Sequence, residues 1–185
     1  NFTKNLNNGI YPYSVMTSVF TPVDLQAFPH TLKTATTCQE WCGQTFTKMN
    51  WNNGYDVSLF SYFYAEGEQE LQLEEAVLEE ELWNLIRLDP EKLPLGQFAV
   101  IQGGMIQRFT HTEFKVTQAT GGLLSDEAGV LIYTVSFTEP ERQLEISFEE
   151  EFPHRILGWT ETYTDGGQQL TTKATRIATV LDDYW

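Results

Sequence analysis

Two cysteines, Cys38 and Cys42, stand in the stretch TTCQEWCGQTF at residues 36–46, where a disulfide, a metal site or a reactive thiol would each demand its own geometry. In an extended strand, residues four apart lie about 13 Å from each other, whereas a disulfide holds its Cα atoms within about 7 Å. A Cys38–Cys42 bond therefore needs a turn or helix between them, and Gln39-Glu40-Trp41 offers neither Gly nor Pro. The spacing also differs from the redox motif C-x-x-C. Zinc would need two further ligands, and His30, His111 and His154 are scattered without paired spacing. A nucleophilic thiol needs a base and an electropositive setting, and Glu40 in a chain of net charge −15 supplies the opposite. The expectation is two free thiols, no metal and no cofactor, with Cys42 packed as a small apolar residue inside a sheet beside Gly43.

Other catalytic signatures are missing. The sequence contains no G-x-S-x-G elbow, no H-E-x-x-H, no phosphate-binding Gly-Lys loop and no G-x-G-x-x-G. His111 and Glu113, two residues apart, would share one face of a strand, and an exposed strand edge would look the same. The 26 acidic residues can supply an acid/base pair, but no spacing singles one out. The reading leans to a protein that is not an enzyme. With 26 acidic against 11 basic residues, a phosphate backbone or an anionic membrane is repelled at long range, so no nucleic-acid partner is expected. No apolar stretch reaches the length of a membrane span.

The elements that must position these residues are mostly strands. YSVMTSVFT (13–21) is rich in β-branched and aromatic types, and 44–51 and 55–63 flank Asn52-Asn53-Gly54, a hairpin turn signal. Further strands are predicted at 98–102, 114–118, 130–137, 144–149, 156–163 and 170–180. They are punctuated by Gly103-Gly104, Gly121-Gly122, Glu139-Pro140, Phe152-Pro153 and Asp165-Gly166-Gly167. Connections this short make neighbouring strands antiparallel. One helix is predicted over 70–88, where Leu71, Leu78, Leu82 and Leu85 form a stripe ended by Asp89-Pro90. Its run of glutamates reads as a solvated face, and Arg87, four residues after Trp83, is placed to stack on the indole. The fold class expected is mainly β with some α: a curved antiparallel meander with one amphipathic helix packed across it, in a single domain over 1–185. Aromatics such as Trp41, Phe46, Phe60 and Trp159 fall on many strands, more than one helix stripe covers, so the concave face is expected either to be filled by these side chains as core or to leave an apolar groove for a lipid-like ligand.

Several motifs in order carry a resemblance: NGIYPYS (8–14), QEWCGQ (39–44), LWNLIRLDPEKLPLG (82–96), FPHRILGWTETY (152–163) and LTTKATRI (170–177). Together they resemble a family of uncharacterised Bacteroidota proteins often labelled "septum formation inhibitor Maf". The resemblance spans nearly the whole chain and implies that it is the C-terminal part of a longer protein of the periplasm or outer membrane. It implies a β-sheet half-barrel similar to those of periplasmic lipoprotein carriers. An apolar or lipid-like ligand, or an envelope protein partner, is the implied binding partner, with Glu40, Trp41, Arg87 and Trp159 as ligand-binding candidates. True Maf nucleotide pyrophosphatases open with a Ser/Arg-rich loop on an α/β fold; this chain has neither, so nucleotide hydrolysis is not carried over with the label.

Overall fold

The computed structural model describes residues 1–126 and 128–183 and is mainly β. The chain divides into two compact units, residues 1–84 with 99–117, and residues 85–98 with the described residues from 118 onward.

In the first unit, β1 (Phe2–Asn8), β2 (Tyr11–Phe20), β3 (Lys33–Gln39), β4 (Gln44–Trp51), β5 (Tyr55–Ser61) and β6 (Glu68–Leu73) form an antiparallel meander in sequence order. Side chains alternate between faces, as a strand requires. Val15, Thr36, Cys38, Met49, Val57 and Leu59 are buried on one of them. The predicted hairpin turns at Asn52-Asn53-Gly54, with φ of 50° at Asn53 and 124° at Gly54. Met49, Tyr55, Val57, Leu78, Ile101 and Phe114 make the buried cluster of this unit, each large side chain stabilising by about 1.5–3 kcal/mol on burial.

The helix expected over 70–88 is much shorter. Residues 70–73 end β6, Val77–Leu78 is a two-residue strand, β7, and the helix α1 covers Glu81–Leu88. Leu71 and Leu73 alternate with Glu70 and Gln72, a period of two, and pack on the core from a strand. Only Leu82, Leu85 and Ile86 keep the helical stripe, and all three are buried. Asp89 ends the helix as expected and caps a short 3-10 turn at Pro90–Lys92. The connection through α1 is long enough for a crossover, so β7 pairs in parallel with β8 (Gly96–Ile101), Val77 opposite Val100. The expectation that all neighbouring strands run antiparallel fails at that pair.

A second helix, α2 (Gly104–Thr110), begins where a Gly-Gly turn was expected. Its first amides are met by the acidic run: Gly103 N donates to Glu79 Oε2 at 2.9 Å and Gly104 N to Glu80 Oε1 at 2.8 Å. The run is therefore not one solvated face; Glu79 and Glu81 are buried. A Cβ at Gly104 would stand 2.9 Å from Cβ of Thr36, so glycine permits the approach that seats α2 on β2 and β3. His111 caps the C-terminal end of α2 at a φ of 54°. His111-Thr112-Glu113 is thus no strand face, and β9 (Val116–Ser125) starts later than expected.

The second unit contains β9 from Gln118 onward, β10 (Val130–Thr138), β11 (Glu141–Glu149), β12 (Ile156–Asp165) and β13 (Gln168–Thr175), each antiparallel to the next. Tyr133, Val135, Phe137, Leu144, Ile146 and Phe148 fill its interior. Gly121-Gly122, expected as a turn, lies inside β9. A Cβ on Gly121 would collide with the Pro94 carbonyl, to which the Tyr133 hydroxyl donates at 2.8 Å. Close backbone approach, not chain reversal, is what that glycine serves. Arg142 is buried across the Phe137 ring and bonds Glu161 at 2.8 Å.

Candidate functional site

The face of the six-stranded sheet opposite its buried side carries a groove of about 750 Å³. Its floor is a single register row that crosses every strand: Thr3, Met16, Thr37, Phe46, Phe60 and Glu68 are successive cross-strand partners. At about 4.8 Å per strand the row runs for about 24 Å. The Phe46 and Phe60 rings stack at 6.3 Å, and Met16 and Phe60 remain 41% exposed. Beside the row lie Ser14, Gln39 and Gln44, themselves register partners. The groove thus has Met16, Phe46 and Phe60 at its centre, with Thr37 between the first two, and an amide and hydroxyl border along one side.

A buried ionic cluster stiffens one end of this sheet. The loop from β3 to β4 sends Glu40 toward α2, where Arg108 Nη2 donates to its Oε1, and the Tyr62 hydroxyl donates to the same oxygen. Both charged side chains are more than nine-tenths buried, at 7% exposure for Arg108 and 4% for Glu40. The guanidinium lies 4.8 Å from the Phe63 ring centroid, and its Nε meets no acceptor among the described residues. Burial alone would push the Glu40 carboxyl up; hydrogen bonds from Tyr13 and Tyr62 and the Arg108 charge outweigh it and hold the group below its ordinary value. The Tyr62 phenol is raised, first by burial and then by Glu40. A Cβ at Gly43 would collide with the Tyr62 ring. The Glu-Trp-Cys-Gly segment therefore has a structural logic, in which Glu40 holds Arg108 and Gly43 leaves room for the tyrosine that bonds Glu40. Sequence reading missed Arg108, Tyr13 and Tyr62; the available signal was a solitary arginine in the otherwise uncharged stretch GGMIQRFT.

The cysteines are both free, as expected, but Cys42 is not packed inside the sheet. Cys38 is buried on β3, and Cys42 is exposed in the loop that follows. The loop lifts residues 41–43 off the strand before β4 begins, which is why Cys42 is not packed in the sheet. Burial also raises the Cys38 thiol. Alkylation of the native protein is expected to modify Cys42 alone, and alkylation after denaturation both cysteines. Two modified thiols in the native state, or fewer than two after denaturation, would contradict this assignment; intact mass reads it directly.

His111 pairs with Glu66 rather than with Glu113. Its Nδ1 lies 2.5 Å from Glu66 Oε1, while the Ser61 hydroxyl donates to Glu66 Oε2 at 2.5 Å. The carboxylate sits between hydroxyl and imidazole, so this is not the serine–imidazole contact of a nucleophilic site. Burial pushes the Glu66 carboxyl up, but the bonds from His111 and Ser61 prevail and hold it below its ordinary value. Among the described residues, no three His, Cys, Asp or Glu side chains are grouped to hold a metal ion, and no helix is long and apolar enough to cross a membrane.

The four residues singled out from the sequence fall into both units. Glu40 is committed to the ionic cluster. Trp41, its neighbour, is 70% exposed, its ring 5.4 Å from that of Tyr11, and both Glu40 and Trp41 line a cleft of about 560 Å³ with Tyr13, Ser14 and Gln39. In the second unit, Arg87 is exposed and its Nε donates to the Pro153 carbonyl at 2.7 Å, and Trp159 is half-buried on β12 opposite Ile146 and Ala174. No family model matches the chain, and no curated protein or solved structure matches it either.

Proposed function

We propose that this chain is a non-enzymatic binding protein of the Bacteroidota cell envelope, periplasmic or associated with the outer membrane, whose first unit holds an apolar or lipid-like ligand in the groove of the six-stranded sheet. The observation that carries the reading is the register row from Thr3 to Glu68, with Met16, Phe46 and Phe60 at its centre, lining an open groove in which Met16 and Phe60 stay exposed. The groove exceeds the roughly 300 Å³ lower bound of small-molecule sites. Its length suits an extended acyl chain. The buried Glu40–Arg108 pair supports the groove by fixing α2 against the strands whose outer face forms its floor. The envelope location and the Maf-labelled family rest on the resemblance of the sequence motifs.

Displacement of a fluorescent fatty-acid probe tests the proposal. Saturable displacement is expected, and Phe60→Asp, which puts a charge on the floor, is expected to weaken it by at least about tenfold. Absence of saturable binding, or binding indifferent to the substitution, would overturn it and leave an interaction domain of an envelope complex as the reading.

A further inference from the structure

Five arginines occur in the chain. Two of them, Arg108 and Arg142, are buried in ion pairs. The other three, Arg87, Arg155 and Arg176, line one cleft of about 620 Å³ in the second unit. They come from α1, from the turn before β12 and from the segment after β13, so three separate parts of the chain bring their guanidinium groups to one place.

One carboxylate, Glu149, lies among them. Arg155 Nη1 bonds its Oε2 at 3.3 Å, and Arg176 bonds its Oε1 through Nη1 at 3.2 Å and Nη2 at 3.1 Å. Arg87 takes no part in that pairing. Its Nε is fixed on the Pro153 carbonyl, and among the described residues its two terminal nitrogens meet no acceptor. Three guanidinium cations against one carboxylate leave two positive charges on the cleft wall. That concentration stands out in a chain of net charge −15, whose overall field repels anions.

We propose that this cleft binds a phosphate monoester. Guanidinium forks match phosphate oxygens two at a time, and a phosphomonoester carries about −1.5 to −2 charges at neutral pH, the complement of the two unbalanced positive charges. The cleft is far larger than one phosphate group. Pro153, Ile156 and Leu181 supply apolar wall for the organic part of the ligand. The proposal is independent of the groove in the first unit and stands whether or not that groove takes a lipid.

The experiment has a soluble and a membrane arm. In the first, inorganic phosphate and phenyl phosphate are titrated into the protein by calorimetry. In the second, the protein is sedimented with phosphatidylcholine vesicles with and without phosphatidic acid, whose headgroup is a phosphomonoester. Binding of the soluble esters identifies a free metabolite as the source, and binding confined to phosphatidic-acid vesicles identifies a lipid headgroup; either supports the site. Arg87→Gln, an exposed position, is expected to weaken whichever binding is seen by at least about tenfold, and Arg176→Gln is the second variant should the first not fold. No saturable binding in both arms, or binding unchanged by the folded variant, would overturn the proposal.

Discussion

Arg108→Met is expected to destabilise the first unit by about 3–5 kcal/mol, because it removes the only cation from a carboxylate that remains buried. The Glu40 side chain is 4% exposed, and its charge is sustained by Tyr13, Tyr62 and Arg108. Without the guanidinium, only the hydrogen bonds from Tyr13 and Tyr62 oppose burial, and the carboxyl takes up a proton more readily than in the native protein. The pH dependence follows from the sign of the shift. In the native protein the folded Glu40 titrates below its ordinary value of 4.5, so its stabilisation is complete above that value and lost as pH falls through the lowered one. In the variant the lowering loses the Arg108 contribution, so the defect is expected to narrow as the solution is acidified and Glu40 takes a proton. The double variant Arg108→Met with Glu40→Gln, carrying no buried charge, is expected to recover most of the loss. Urea denaturation at neutral and acidic pH reads all three. A loss below about 1 kcal/mol, the scale of an exposed pair, would mean that the cluster is solvated.

Glu81→Gln is expected to act in the opposite direction and stabilise the protein. Burial pushes the Glu81 carboxyl up to about 7, and bonds from Thr31 and from the Leu78 backbone only partly offset it. Its Oε2 accepts from the Thr31 amide at 3.4 Å, and Thr31 in turn accepts from the buried Tyr55 hydroxyl at 3.0 Å, so the carboxylate faces a packed interior. Below the ordinary value of 4.5 both folded and unfolded states hold the proton and no cost arises. Between 4.5 and about 7 the unfolded chain releases it first, and folding is progressively disfavoured. The whole penalty, about 3 kcal/mol at 1.36 kcal/mol per unit, is present above that window. The amide keeps an acceptor for Thr31 and removes the titration. Thermal melts from acidic to mildly alkaline pH should show the variant gaining over the native protein as pH rises and equal to it at the acid end. A gain that does not vary with pH would contradict this origin.

What could be read from the residues depended on the range of the interaction. The β class, the Asn52-Asn53-Gly54 hairpin and the strands of 130–163 were legible because alternation and turn chemistry are local. The helix was overextended because Leu71, Leu78, Leu82 and Leu85 fit a helical stripe while Leu71 and Leu73 also fit a strand, and a short window cannot separate the two. Gly121-Gly122 was misread as a turn, since nothing local announces that Pro94, far earlier in the chain, approaches that strand. Glu40 was singled out by the resemblance of its segment, but its partner Arg108 lies 68 residues away in a helix too short to show a stripe. The aromatics divided in a way their types do not encode. Tyr133 and Phe148 fill an interior, Phe46 and Phe60 lie on an open face, and Trp41 is exposed. Arg87 was marked as a binding residue, whereas Arg155 and Arg176 joined it only through the fold.

The groove is the centre of this account, and its occupancy by an apolar chain is tested most directly by titrating a fatty acid into isotope-labelled protein and following the assigned amide resonances. Saturable shifts are predicted at Met16, Thr37, Phe46 and Phe60 and at their neighbours along β2 to β5, with the strands of the second unit unmoved. Shifts that fail to saturate, or that fall on the second unit and leave this row of residues unchanged, would contradict it.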